Sequence, residues 1–302
     1  MFEYSLPAIY IEHSNNTADN HFFMVRTFLK CFCWIFLLIP MTTTAQTLKV
    51  MSYNIRYDNP NDGENRWDFR KQSVVDLIKH YEPVVLGIQE GLHRQVAYLD
   101  SSLIDYAYFG VGREDAKTNG EYSAVFYNQQ EVNLVGQGTF WLSETSEKPS
   151  VGWDAALERI CTYGLLEHKA TQKRFWIFNT HFDHRGAKAR NQSARLIVRK
   201  INELNTDNLP VMLMGDFNLL PISKPIRYLK KQLQDGKKVT QKAFYGPKGT
   251  FNGFRAKPML LKRIDYVFVR DFKVMSYTHI DDKTQEGLWV SDHLPVFCSL
   301  SF

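Results

Sequence analysis

Eight polar residues stand where an apolar strand pattern would be expected to carry nothing polar. Asn54, Glu90, His181, Asp216, Asn218, Asp265, Asp292 and His293 each fall inside or just past such a run. A charged group stripped of water is expensive unless a partner compensates it. Residues of this kind, arriving from distant segments, are best explained by convergence on one rim. Three or more carboxylates gathered there would repel one another unless a cation lay between them. Oxygen donors without an accompanying cysteine pattern suit a hard ion, Mg²⁺ or Mn²⁺, better than zinc.

Secondary-structure elements have to carry these residues to a common place. Residues 48–55 alternate as a strand does and include Asn54. Residues 83–90 form a continuous apolar run, which reads as a buried strand with Glu90 at its exit, and 209–216 is a similar run ending in Asp216. Further strands are predicted over 122–127, 132–142, 160–168, 174–181, 263–269 and 294–300. Helical spacing is carried by Val74, Val75, Leu77 and Ile78 within 70–81, and by Ala194, Ile197, Val198, Ile201 and Leu204 within 187–204. The stretch 57–67 between them is polar and rich in turn formers. Many strands with a few amphipathic helices predict an α+β fold, sheet packed on sheet with helices outside.

Six short motifs occur in order along the chain: Ser52-Tyr53-Asn54-Ile55, Ile88-Gln89-Glu90, Asn179-Thr180-His181, Gly215-Asp216-Phe217-Asn218, Arg263-Ile264-Asp265-Tyr266 and Ser291-Asp292-His293-Leu294-Pro295. Singly each is weak. Together they resemble the ordered motif set of the endonuclease/exonuclease/phosphatase superfamily, over essentially the whole of 48–302. That family includes deoxyribonucleases, nocturnin-like deadenylases, sphingomyelinases and inositol phosphate phosphatases. The resemblance implies a four-layer α/β/β/α sandwich of the deoxyribonuclease-like type with the site at one edge. It also implies that Glu90 is the principal Mg²⁺ ligand, with Asn54 and Asp292 beside it. Asp216 and Asn218 then orient the attacking water and hold the phosphate, His181 donates to a phosphoryl oxygen, and Asp265 fixes the imidazole of His293. Whether His293 or Asp216 takes the proton from water is left open by the sequence.

The reaction this implies is Mg²⁺-dependent (or Mn²⁺-dependent) hydrolysis of a phosphodiester, with nucleic acid as the expected substrate and either endonuclease or 3′–5′ exonuclease action. A sphingomyelinase-like activity or a sugar or inositol phosphate phosphatase is the alternative. A non-catalytic phosphate-binding module is the alternative of another class, disfavoured because none of the metal and proton-transfer positions is replaced. The charged loop His181-Phe182-Asp183-His184-Arg185-Gly186 adds Arg185 and Asp183 as candidate substrate contacts, and Arg159 is a third. Trp67, Trp141, Trp153 and Phe251 lie in turn-rich stretches where an exposed ring could stack on a base or sugar, although core packing is the commoner role.

A chain 44% hydrophobic and 23% charged is globular rather than disordered. A basic lead from Met24 to Lys30, an apolar run over 31–39 and small residues before Gln46 read as a signal peptide over 24–45. An uncleaved membrane tether is the alternative. Residues 1–23 read as lying upstream of the true start. Cleavage after Ala45 leaves 46–302 as one catalytic domain, exported to the periplasm or beyond the cell. Residues 1–45 hold two of the 37 basic and three of the 32 acidic side chains, so the remainder carries +6. That balance favours an anionic partner. No protein partner is indicated, and a monomer is expected. Beyond the leader only Cys161 and Cys298 remain, enough for at most one disulfide; two buried thiols are the plainer reading.

Overall fold

The computed structural model describes residues 47–302, so the expected leader over 24–45 and the segment over 1–23 lie outside the described residues. Two six-stranded sheets make up the centre. The first is built from β1 (Leu48–Asn54), β2 (Val85–Gln89), β3 (Tyr106–Phe109), β4 (Val125–Asn128), β11 (Lys273–His279) and β12 (Val296–Ser301), in the order β11-β12-β1-β2-β4-β3. The second holds β5 (Val132–Trp141), β6 (Ile160–His168), β7 (Arg174–His181), β8 (Val211–Asp216), β9 (Gln234–Asp235) and β10 (Asp265–Arg270), in the order β5-β6-β7-β8-β10-β9. The helices are α1 (Trp67–Tyr81), α2 (His93–Ser102), α3 (Ala187–Leu204), α4 (Lys224–Gln232) and the single turn α5 (Gly236–Val239).

Period-two alternation along the strands sorts side chains into three apolar layers. Val50, Val85, Val296 and Cys298 of the first sheet meet Ile177, Met212, Met214 and Val267 of the second. From the same strands, Met51, Tyr53, Leu86 and Ile88 point the other way, onto Val74 and Ile78 of α1 and Val96 and Leu99 of α2. On the far side Phe178, Leu213, Tyr266 and Phe268 pack on Ala194 and Ile197 of α3 and Ile226 and Leu229 of α4. Three cores separate four layers, so the α/β/β/α sandwich is present. Cys161 and Cys298 are free, buried thiols belonging to different layers.

The two sheets repeat one device. β1 and β2 are parallel with Asn54 opposite Gln89, and β7 and β8 are parallel with His181 opposite Asp216. A helix returns the chain in each case, so both members of a pair end at the same edge. β10 runs antiparallel to β8 and begins there, with Asp265 opposite Asp216. Beneath this edge the layer between the sheets turns polar. Asn179 Nδ2 donates across the seam to the carbonyls of Ile88 (2.8 Å) and Ala124 (2.9 Å), and its Oδ1 accepts from Gln89 Nε2 at 2.7 Å. Gly87 makes room: a Cβ there would lie 2.8 Å from both Asn179 Cγ and Met214 Sδ.

Candidate active site

Glu90 follows β2 with φ 64°, a left-handed conformation uncommon outside glycine, which turns its carboxylate back over the sheet edge. Asn54 Nδ2 donates to Glu90 Oε1 (2.9 Å) and to Asp216 Oδ2 (3.1 Å), and the Tyr57 amide donates to Glu90 Oε2 (3.1 Å). Asn54 was expected to offer its side-chain oxygen to a metal. Here that oxygen accepts from the Arg56 amide at 3.0 Å, and the NH₂ faces the carboxylates instead. Arg56 is the cation beside them, with Nη1 3.9 Å from Glu90 Oε2 and 3.9 Å from Asp292 Oδ2. Asp62 grips its guanidinium at 2.9 and 3.0 Å. Buried Arg70 clasps the loop by donating to the carbonyls of Ile55, Asn65 and Arg56, while Ser291 Oγ ties the Asp292 segment to the Asn54 carbonyl at 2.7 Å.

The groups that handle protons come from both sheets, His293 from the loop before β12 and Asp216 and Asp265 from β8 and β10. His293 Nδ1 donates to Asp265 Oδ2 at 3.0 Å, and Nε2 points toward Asp216 Oδ2 at 3.7 Å. Burial alone would strip the proton from this imidazole, but Asp265 and then Asp216 outweigh it and hold the pKa well above the ordinary histidine value. Burial, with Asp265 next, pushes the Asp216 carboxyl up. The Asn218 amide, in a left-handed turn (φ 50°), donates to Asp216 Oδ1 at 2.8 Å. Gly215 before it has φ 144°, and a Cβ there would fall 1.9 Å from the Thr180 carbonyl oxygen.

These donors fit a hard cation. One ligand atom each from Glu90, Asp216 and His293 lies within 4.8 Å of the others. Glu90 is the member of this group that the sequence named as a ligand; Asp216 joins it, whereas His293, held protonated, offers an ion no lone pair. Asp292 lines the same cavity, and its pKa is pushed up to about 6 by burial, with Glu90 adding to the rise against His293 and Arg56. A cation beside it would restore the ionised form.

The opposite wall belongs to His181, Arg159 and Glu121. Burial, helped by Arg159, pushes the His181 pKa down to about 3, so the ring is neutral. Asn218 Nδ2 donates to the Phe182 carbonyl (3.0 Å), which fixes the amide's orientation and directs its other hydrogen to His181 Nε2 (3.1 Å). The ring proton then sits on Nδ1, 3.6 Å from Glu121 Oε2. In this arrangement His181 orients Asn218 rather than donating to a phosphoryl oxygen itself. Arg159 is 4% exposed at its side chain; Nη2 meets His184 Nδ1 at 3.0 Å, while Nε and Nη1 have no hydrogen-bond partner among the described residues.

A cavity of about 700 Å³ joins the two walls, lined among others by Arg56, Glu90, Arg159, Phe251, Lys262 and His293. Two candidates from the sequence stand outside it. Asp183 spends its carboxylate on the amides of Arg185 (2.8 Å), Gly186 (2.6 Å) and Ala156 (3.0 Å), so it shapes a turn and faces Arg159 Nε at 3.5 Å. Arg185 is exposed and does not line the cavity. Of the four aromatic candidates only Phe251 reaches the site, its ring 5.1 Å from that of His293. Trp67 and Trp141 are buried, and Trp153 packs on the α3 side. Arg56, Glu121 and Arg113 escaped the sequence reading because they sit on loops with no strand pattern to make a charge conspicuous, and of the charged loop over 181–186 it chose Asp183 and Arg185 where His184 is the residue that lines the cavity.

The profile of the Endonuclease/Exonuclease/phosphatase family matches residues 51–293. The chain belongs to that family. Members of the Endonuclease/Exonuclease/phosphatase family hydrolyse phosphoesters and generally use divalent metals. Among solved structures, a mannosyl-6-phosphatase of Bacteroides thetaiotaomicron is 37% identical, with a TM-score of 0.81 and coverage of 84% of this chain and 100% of that one. The human nocturnin catalytic domain with bound sulfate anion shares the fold at 19% identity and a TM-score of 0.68, covering 85% and 94% of the two chains. An uncharacterized protein of Acanthamoeba polyphaga mimivirus is 27% identical over 166 residues, 51% of this chain and 59% of that protein. With the Drosophila melanogaster protein angel matched over 47% of its length, the chain spans about half the length of the curated relatives it matches.

Proposed function

We propose that this enzyme is a Mg²⁺-dependent phosphatase acting on phosphorylated sugars. One observation carries the reading. Across a single cavity, a carboxylate and histidine cluster suited to a hard cation faces a wall that carries the buried guanidinium of Arg159. A terminal phosphate, with its high charge density, is the group that both sides would grip. Identity of 37% to a mannosyl-6-phosphatase, over the whole of that chain, supports the same class.

Glu90, Asp216 and Asp292 would hold the metal, which when bound neutralises phosphate charge and polarises the phosphorus. Arg159 binds the non-bridging oxygens and helps fix the phosphorus for in-line attack, while Asn218, whose two side-chain hydrogens go to Phe182 and His181, holds that wall in shape. His293 carries its proton on the side facing Asp216, so this pair can pass a proton between water and the leaving alcohol, while Asp265 keeps the imidazole in orientation.

Cleavage of single-stranded nucleic acid is a second reading, supported by the net charge of +5 and by Phe251 in the cavity wall, where a base could stack. A panel of hexose phosphates, inositol phosphates, sphingomyelin and single-stranded oligonucleotides in Mg²⁺ tests the choice. A hexose 6-phosphate should show the highest kcat/KM. Oligonucleotide cleavage that is faster, and that weakens steeply with salt, would replace the phosphatase reading by the nuclease one.

A further inference from the structure

Glu121 is an odd neighbour for a phosphate. Its carboxylate lines the cavity next to Arg159, although every other demand on that wall is for positive charge. Oε2 is anchored: Arg113 Nη1 donates to it at 2.7 Å, with Arg159 Nη1 at 4.0 Å and His181 Nδ1 at 3.6 Å. Oε1 has no hydrogen-bond partner among the described residues. One oxygen of the carboxylate is therefore held, and the other is left as an acceptor. Only the His181 ring, which approaches Glu121 through one nitrogen and Asp216 Oδ2 through the other at 3.5 Å, separates it from the reacting centre.

The loop that carries Glu121 is built to aim it. Gly112 N donates to the Lys117 carbonyl (2.9 Å), Glu114 N to Asn119 (3.1 Å) and Arg113 N to Glu121 (3.2 Å), so the loop folds on itself. A Cβ on Gly112 would meet the Asn119 carbonyl oxygen at 2.2 Å, which is why that turn needs glycine. The indole of Trp141 donates to the Arg113 carbonyl at 2.6 Å, pinning the loop to β5, and Tyr122 N donates to Gly91 at 2.8 Å, pinning it beside Glu90. Neutralising two arginines would not require a rigid loop or an oxygen left over.

We infer that Glu121 selects the alcohol half of the substrate, accepting a hydrogen bond from a sugar hydroxyl through Oε1. The inference rests on the sugar phosphatase reading above and names the residue that sets its specificity. A carboxylate is an acceptor only, so a hydroxyl gains by meeting it.

The test compares mannose 6-phosphate with phenyl phosphate, whose alcohol half offers no aliphatic hydroxyl, for the unaltered protein and Glu121→Gln in Mg²⁺. The ratio of kcat/KM for the sugar phosphate over phenyl phosphate should fall about 10- to 100-fold in Glu121→Gln, mostly through KM, as expected when a hydrogen bond to a charged group is lost. Should that variant not fold, the unaltered protein still decides: one singly deoxygenated mannose 6-phosphate should lose a similar factor while the other deoxy analogues lose little. An unmoved ratio, or equal losses for every deoxy analogue, overturns the role of Glu121 while leaving the sugar phosphatase standing. If phenyl phosphate is hydrolysed and no sugar phosphate is preferred to it, the substrate reading falls and the inference falls with it.

Discussion

His293 lies buried between two carboxylates, and that setting decides both its charge and the company its mutations keep. With Asp265 on Nδ1 and Asp216 beyond Nε2, removing the ring takes away a proton carrier and leaves Asp265 without its partner. His293→Ala is expected to lower kcat by about 10²- to 10⁴-fold at saturating Mg²⁺. Asp265→Asn added to it should cost little more, because the two residues act as one unit. Steady-state kinetics on both single variants and the double variant read this directly; losses that multiply would place Asp265 elsewhere in the reaction. His279 teaches the reverse lesson far from the site. It is fully buried beside Phe244 and Tyr277, and burial, with Lys237 next, pushes its pKa down to about 3. The unfolded chain takes up that proton near pH 6.5 and the folded chain does not. The stability from a neutral His279 is therefore whole above pH 6.5 and is lost as pH falls toward 3. Each such histidine contributes a slope of about 1.4 kcal/mol per pH unit across that range. Urea unfolding between pH 6 and 4 should show a shallower slope for His279→Gln, whatever its absolute stability.

At the scale of elements, the site depends on strands that stop at the right edge. β8 reaches Asp216 through Gly215, where both φ and the closeness of the Thr180 carbonyl exclude a side chain. Gly215→Ala would force β7 and β8 apart at the catalytic end. The expected outcome is a loss of about 2–4 kcal/mol in stability, read as a lower Tm, with activity falling further than the unfolded fraction explains. The same strands explain what could be read in the sequence. Runs such as 83–90 and 209–216 are buried on both faces, so a carboxylate at the end of each stands out, and Glu90 and Asp216 were found that way. β6, β7 and α3 were legible to the residue because β-branched, aromatic and periodic apolar positions agreed with one another. α2, with only Val96 and Leu99 on its buried apolar stripe, and α4, with Ile226 and Leu229, gave too short a period to register. β11 is an edge strand with a register shift between Val274 and Ser276, and that irregularity blurs its alternation. Trp141 was legible as an aromatic near a turn. That its indole would pin the loop of Arg113 is a tertiary fact with no local signature.

For the whole molecule, the buried carboxylates make metal a matter of stability as well as of rate. EDTA should abolish hydrolysis of every phosphoester, Mg²⁺ or Mn²⁺ should restore it, and saturating Mg²⁺ should raise the Tm, since an ion that binds only the folded chain adds to its stability. Activity that survives exhaustive chelation would remove the metal from the reading. The proposed export calls for a separate measurement: mass spectrometry of the protein from a periplasmic or secreted fraction should find Gln46 at the N-terminus, and a soluble cytoplasmic species starting at Met24 would count against it.

The amide of Asn179 leads to a less obvious consequence. Asn54, Glu90, Asp292 and His293 ride on one sheet, while His181, Asp216 and Asp265 ride on the other. The distance between ligand and proton carrier is therefore the spacing of two slabs, and the Asn179 and Gln89 amides are the rivet that sets it. Apolar layers slide on each other with little directional resistance, but hydrogen bonds to the carbonyls of Ile88 and Ala124 hold only one alignment. Asn179→Leu keeps the volume and removes the rivet; the Ala124 carbonyl keeps the Ile88 amide, while the Ile88 carbonyl loses its Asn179 donor at a cost of about 1–3 kcal/mol. Such a protein should remain folded at moderate temperature yet lose catalysis well below its Tm, as the jaws of the site drift out of line before the molecule comes apart.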